Sequence, residues 1–381
     1  MKVLHVIPSM AAGYGGPSYA MAETLPVFRT LGIQVTIATT HAASDDPLTL
    51  QHCQELKLFS RGFPEFYFYS KDLSRWLEQH TGDYDLVHIH SLFSYPATIA
   101  GYWARQHHKP YIIRPFGTLD KYCMRRHALR KRVYFELLER NSLNHAHFIH
   151  GTSSSEKQEI ERLRLKTECV IIPLGLLNED SIPRKPDRPA QHSGTKNILF
   201  LSRIDPKKGL ELLLRAVKML KNKRSDFRIF IAGSGVEAYV RRVKSLVVRE
   251  GVESVVSFVG EVRGEQKKKM LQSADVFVLP SYRENFGLAV AEALQAGCPV
   301  VVSSAVAIST EIAEYQAGEI VDLSADSIFM ALDKLLDNTA ARIRMGENGQ
   351  RLVRERFDLT ANVRRIVSLY EKILSKSGAT G

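Results

Sequence analysis

The chain alternates short runs of β-branched and aliphatic residues with longer stretches whose apolar positions recur at helical spacing. This is the pattern of α/β units wound around parallel strands, because strands buried on both faces read as nearly continuous apolar runs. In the first half it predicts strands at 2–7, 34–39, 86–90, 111–114, 148–151 and 169–172, with helices at 16–31 and 131–143. Between Leu177 and Lys196 the periodicity stops, and Pro183, Pro186 and Pro189 stiffen a polar connector, the best candidate for a domain boundary. The alternation then restarts, with strands at 197–201, 228–232, 255–259, 276–279 and 300–303 and helices at 210–221, 236–250 and 288–296. A last amphipathic helix is predicted at 360–374. The expected class is α/β, with two Rossmann-like domains at 1–177 and 197–359, a linker at 178–196, and a final segment, 360–381, packing back toward the first domain.

Composition narrows the function. At 44% hydrophobic and 24% charged residues the chain can bury a core and is not disordered. Its apolar runs fall short of the roughly 18 residues needed to cross a bilayer. Met1 to Pro8 reads as a first strand and not as a signal peptide. Cys53, Cys123, Cys169 and Cys298 lie far apart with no CxxC, which suits reduced thiols and a cytoplasmic setting. The net charge of +11 suits an anionic membrane face or phosphorylated small molecules. No RNP motif or zinc finger supports a nucleic-acid partner.

Three strand-to-helix loops carry the chemistry. Ser202 to Gly209 places Arg203, Lys207 and Lys208 after a strand and before a helix, a natural anion site. Ala232-Gly233-Ser234-Gly235 is weaker: its glycines admit a ligand to the backbone, or serve turns that need positive φ. In Pro280 to Val301, Glu284 precedes a helix and Glu292 lies within it. At about 1.5 Å per residue the two carboxylates are up to roughly 12 Å apart. That is too far for the acid/base pair of a hydrolase, expected at about 5–9.5 Å. It suits gripping hydroxyls at two ends of an elongated ligand, with a phosphate between them at the N–H groups of Phe286, Gly287 and Leu288.

Other patterns are set aside. Asp83-Tyr84-Asp85 spells a D-x-D but precedes its strand, at the end away from a ligand crevice, so it reads as a solvated strand entrance. Gly13-Tyr14-Gly15-Gly16 lacks the third glycine of a dinucleotide fingerprint, since Ser18 stands there. His88 and His90 share one strand face with no third ligand evident nearby, and no metal is expected. Lys121 to Arg132 holds six bases and no acid, suited to an anionic acceptor or an acidic membrane surface. Arg114 and Gly117 follow a strand and are weak acceptor-site candidates.

The Glu-x7-Glu stretch with Phe-Gly inside it and Glu-Ala-x-x-Ala-Gly-x-Pro-Val-Val after it resembles the retaining glycosyltransferases of family 4. So does the Arg203-x4-Lys208-Gly209 loop. Gly13 to Pro17 and His88-Ile89-His90 stand at family-like positions, so the resemblance runs the whole length, more loosely at 50–180. It implies the GT-B fold, with two parallel sheets facing a central cleft. It also implies sugar transfer from a UDP- or GDP-linked donor to a hydroxyl acceptor such as a lipid-linked glycan, with retention and no divalent metal or other cofactor. The setting would be polysaccharide or glycolipid assembly at the inner face of the cytoplasmic membrane.

By the same resemblance Arg203 and Lys208 hold the diphosphate, and Glu284 binds donor-sugar hydroxyls. Asn285 and the amides of Phe286, Gly287 and Leu288 line the donor site, Gly233 borders it, and Glu292 binds the ribose. Gly15 and Gly16 let a loop close over the phosphates, and His90 touches the donor sugar near the reacting carbon. The alternatives are a GT-B epimerase or hydrolase, which would need a water-activating base at the anomeric carbon, and a non-catalytic membrane-associated binding subunit, which would show broken donor motifs.

Overall fold

The apolar runs of the first half form seven parallel strands in a computed structural model that describes residues 1–46, 55–120, 123–124, 128–177 and 194–378. They are β1 (Lys2–Ile7), β2 (Gln34–His41), β3 (Glu55–Ser60), β4 (Leu86–His90), β5 (Tyr111–Arg114), β6 (Phe148–Gly151) and β7 (Cys169–Ile171), in the order β3-β2-β1-β4-β5-β6-β7. Alternation along each strand sorts its residues to two buried faces. Val3, Ile7, Ile112 and Phe148 pack with the helix Gly16–Thr30 and the C-terminal helix Leu359–Gly378. Leu4, Val6, Val87, Ile89 and Ile113 pack with the helices Lys71–His80 and Tyr95–Gln106. Each fully buried Leu, Ile or Phe contributes about 1.5–3 kcal/mol by leaving water.

The second half repeats the plan. Its strands are β8 (Lys196–Leu201), β9 (Phe227–Ala232), β10 (Val256–Gly260), β11 (Val276–Leu279), β12 (Val300–Ser303) and β13 (Gly318–Val321), in the order β10-β9-β8-β11-β12-β13 and all parallel. Contacts divide the chain into one unit of Met1–Leu177 with Leu359–Gly381 and another of Asn178–Asp358. The C-terminal helix belongs to the first unit. Val363, Ile366, Tyr370 and Ile373 lie three or four residues apart on its buried stripe, and the Leu359 N–H donates to the Leu176 carbonyl at 2.9 Å. Of the predicted linker at 178–196, residues 178–193 lie outside the described residues, as do 121–122 and 125–127 of the basic run, and the linker's last residue, Lys196, already opens β8.

Two strands escaped the sequence pattern for physical reasons. Edge strand β3 is half-exposed and interrupts its apolar positions with Glu55 and Lys57. Strand β13 has four residues and opens on Gly318, where a Cβ would sit 2.2 Å from the Val300 carbonyl oxygen. The predicted helix at 131–143 runs longer, as Ala128–Tyr134, a π turn at Phe135–Glu139, and Arg140–His145. The helices Ala325–Asp337 and Thr339–Arg356 were not anticipated.

Candidate functional site

In each sheet the strand order reverses once, between β1 and β4 and between β8 and β11. Open parallel sheets bind ligands in the crevice outside the carboxyl ends of the strands at that switch point. In the second unit the flanking loops are 202–209 and 280–287, the two richest in candidate residues.

Glycine shapes these loops. Gly209 has φ +67°, and a Cβ there would meet the Pro280 carbonyl oxygen at 2.1 Å, so the Lys-Gly step brings the two loops into backbone contact. Gly233 has φ +140°, and a Cβ would lie 1.9 Å from the Ser202 carbonyl oxygen. Its N–H donates to Gly260 at 2.7 Å. Packing by itself accounts for this glycine, one of the two readings its sequence left open, and its N–H is spent inside the protein. Gly233→Ala combines a clash with a strained φ and is expected to cost about 3 kcal/mol. A urea midpoint unchanged in that variant would contradict the packing account.

Between the loops, the Lys208 ammonium donates to Glu284 Oε1 in a mostly buried ion pair. The same oxygen accepts from Ser281 Oγ at 3.3 Å. The Glu284 backbone is pinned through its N–H to Ala305 and its carbonyl to the Ala307 N–H, each at 3.1 Å. Arg203 is exposed and makes no ion pair among the described residues. Beside them Gly287, with φ +90°, caps the helix Leu288–Gln295. An α-helix leaves its first N–H groups without intrahelical partners, which marks the end carrying the amides of Leu288 and Ala289. Asn285 lies in the loop, half-buried, whereas the Phe286 side chain belongs to the core, edge-on to Phe357 at 5.1 Å. Glu292 is half-buried and bound by Lys267 at 2.6 Å, so it has a partner of its own in this state.

The first unit presents a different glycine loop. A Cβ at Gly13, Gly15 or Gly16 would meet nothing within 4 Å, and Gly15 holds φ +90°. Packing demands none of these glycines, which leaves open space in front of the loop. Tyr14 donates to Ser91 Oγ at 3.0 Å. After β4 and β5, Ser91, Phe93 and Phe116 hold positive φ, strain of a kind that clusters at functional sites.

Three candidates here are turned inward. His90 is 2% exposed and Arg114 is 4% exposed. Arg114 lies over the Phe116 ring, 4.5 Å from its centroid, and borders a cavity of about 10 Å³ with Pro173 and Asn362. The Gly117 N–H is taken by the buried Glu156 carboxylate, which also accepts from the Thr152 N–H at 2.7 Å. Arg114 and Gly117, the weak acceptor-site candidates, thus have their polar groups directed into the protein in this state. Glu156 was missed, although Ser153-x-x-Glu156 is a helix-start signal and Ser153 does cap its helix. Also missed was Glu139, whose carboxylate accepts the Phe93 N–H at 2.7 Å and is pushed up to about 7 by burial. The two carboxylates hold the loops that follow β4 and β5.

Behind these loops lies a row of histidines. His5, facing His88 across β1 and β4, brings a third imidazole to His88 and His90 that the sequence did not reveal. One ring nitrogen from each lies within 4.8 Å of the others. His88 and His90 stack at 4.4 Å, and His5 and His90 at 5.1 Å. His5 Nδ1 and His90 Nε2 share a hydrogen bond of 2.9 Å, and His88 Nδ1 meets the Tyr370 hydroxyl at 2.6 Å. Arg114 places a positive charge beside the three rings. Burial, then the Arg114 charge, lowers His5 to about 3. Burial also holds His88, His90 and His150 well below the usual histidine range. Asp83 and Asp85 lie at the other end of the sheet, where Asp85 accepts the Lys2 N–H at 2.7 Å.

Two doubly wound parallel sheets, one with a cationic crevice at its switch point, define the GT-B architecture. A model of glycosyl transferases group 1 matches residues 181–352, and one of Glycosyltransferase Family 4 matches residues 14–176. The chain belongs to this family of glycosyltransferases. It is 34% identical over 186 residues to an uncharacterized glycosyltransferase of Methanocaldococcus jannaschii, covering 48% of this chain and 46% of that one. To a phosphatidyl-myo-inositol mannosyltransferase of Mycobacterium leprae it is 29% identical over 303 residues, covering 78% and 76%. The chain spans about half the length of the first curated relatives it matches. The crystal structure of Anabaena HepE in complex with UDP and glucose superposes with a TM-score of 0.79 at 17% identity, covering 98% of this chain and 100% of that one, a likeness of fold. No helix among the described residues is long and apolar enough to cross a membrane.

Proposed function

We propose that the protein transfers a sugar from a UDP- or GDP-linked donor to a hydroxyl acceptor, with retention and without a divalent metal, in polysaccharide or glycolipid assembly. The observation that carries this reading is the grouping of Arg203, the Lys208–Glu284 pair and the N-terminus of the helix Leu288–Gln295 at one switch point. As the glycosidic bond breaks, negative charge grows on the departing diphosphate, and preorganised cations and helix amides stabilise that charge. Lys208 would leave Glu284 for the phosphate, freeing the carboxylate for sugar hydroxyls. Glu292 would exchange Lys267 for the ribose. The Gly13–Gly16 loop has open space in front of it, room for a ligand at the first unit's own switch point.

The test is thermal denaturation with UDP-, GDP- and ADP-sugars, with and without EDTA, on the wild type and Glu292→Ala. A ligand at a hundredfold excess over Kd stabilises by about 2.7 kcal/mol. We expect one nucleotide class to raise Tm regardless of EDTA, and the rise to vanish in the variant. A rise that requires a divalent ion would remove the metal-free part of the proposal, and a rise retained in Glu292→Ala would leave that carboxylate to its ion pair with Lys267. NMR of the product's anomeric configuration tests retention.

A further inference from the structure

We propose that the first unit binds a monatomic anion of chloride size in the cavity between Arg114 and the C-terminal helix Leu359–Gly378. A charge taken out of water needs a counter-charge or a full set of hydrogen bonds. Arg114 has neither. It is 4% exposed, its buried Nε finds no partner, and its side chain makes no ion pair or hydrogen bond among the described residues. It lies over the Phe116 ring, which offers a partial charge and no acceptor atom. Burial lowers the guanidinium only to about 10, so Arg114 stays charged at neutral pH where a buried lysine could shed its proton. The nearby Glu156 carboxylate is spent on the Gly117 N–H and on the N–H and hydroxyl of Thr152. His5, His88, His90, His150 and Tyr370, on the same face of the sheet, bring no negative charge near pH 7.

The cavity adds donors to the cation. Leu174 and Gly175 line it with Arg114. Both are buried, and their N–H groups find no acceptor among the described residues, although buried backbone donors are almost always paired. The chain on either side is bonded. The Ile172 N–H donates to the Gly151 carbonyl and its own carbonyl accepts from His150 Nε2, each at 2.9 Å, while the Leu176 carbonyl accepts from the Leu359 N–H. A fixed guanidinium and two N–H groups around one small space form the donor set of an anion. The remaining wall is largely apolar, with Ala20, Leu359 and Val363. A volume of about 10 Å³ holds about one water-sized body, which excludes phosphate and sugar. Arg114 repels cations, and a water would satisfy the N–H groups but leave the guanidinium uncompensated. The site shares no residue with the donor crevice, so it holds or fails apart from the reading of sugar transfer.

Thermal denaturation in sodium chloride against sodium gluconate at one ionic strength tests it, since gluconate is too large for the cavity and screening is equal in both. Exchanging gluconate for about 100 mM chloride is expected to raise Tm by about 4 °C if the site is half filled near about 10 mM. The two salts act alike on the surfaces of the wild type and Arg114→Met, so the rise is read against that variant, which is expected to lack it. Crystals grown in sodium bromide give a readout that needs no variant: an anomalous peak is expected beside the Arg114 guanidinium. The same response to chloride in the wild type and in folded Arg114→Met, or no bromide peak beside Arg114, would overturn the proposal.

Discussion

Replacing Lys208 by Met is expected to lower kcat for sugar transfer by about 10²–10³-fold, the scale seen when one preorganised charge stabiliser is removed from a developing anion. The loss should fall on kcat more than on KM, because the charge on the leaving diphosphate grows as the bond breaks. Folding should survive. The variant leaves Glu284 without its ammonium partner, but Ser281 Oγ and the backbone ties of residue 284 remain. A cost of about 2 kcal/mol is expected for a lost hydrogen bond to a charged group. Steady-state kinetics beside a urea melt separate the two effects. A drop smaller than tenfold in kcat, in a folded protein, would remove Lys208 from the charge-stabilising role.

Acid should unfold the first unit before the second. His5, His88, His90 and His150 are buried as neutral rings, with folded-state values far below the usual 6.5. Their contribution is complete above about pH 6.5 and is lost progressively as pH falls below it, since the unfolded chain takes up protons that the folded one refuses. Each costs at most about 1.4 kcal/mol per pH unit. Glu139 acts in the opposite direction: its folded carboxyl, raised to about 7, takes up a proton first and adds stability between about pH 7 and 4.5. The net effect of acidification is a loss of stability, because four buried histidines oppose one carboxyl. Twelve of the thirteen histidines precede residue 151, so the second unit carries no such load. Hydrogen exchange near pH 5 should show protection failing in β1, β4 and β6 while β8 and β11 stay protected. Simultaneous loss in both units, or none above pH 4, would contradict this assignment.

Much of this was legible in the chain because parallel strands announce themselves. Leu86–His90, Tyr111–Arg114 and Val276–Leu279 were read at the limits that the structure shows, since strands buried on both faces leave uninterrupted apolar runs. Edge strand β3 lacks that constraint and escaped notice. The grouping of Arg203, Lys208 and Glu284 was legible as motif order, though not their mutual pairing, because no local pattern encodes the meeting of residues 208 and 284. The same limit hid His5, which is eighty-three residues from His88 in sequence and opposite it in the sheet. Gly233 was ambiguous for a different reason. A glycine that admits a ligand and one that admits a carbonyl oxygen look identical until the oxygen is placed.

The return of the last helix to the first unit has a consequence for synthesis. The stretch Asn178–Asp358 is continuous and can fold as soon as it leaves the ribosome, but the sheet begun at Lys2 still lacks Val363, Ile366, Tyr370 and Ile373 on one face. Until those residues emerge, His88 has no Tyr370 and the Gly16–Thr30 helix has no neighbour to cover Phe28, whose ring stacks on Tyr370 at 6.3 Å. Domains generally fold in order of emergence; here the first domain started is the last one finished. A nascent chain arrested before residue 359 should therefore expose an apolar surface that the released protein hides, and chaperones would meet this protein there.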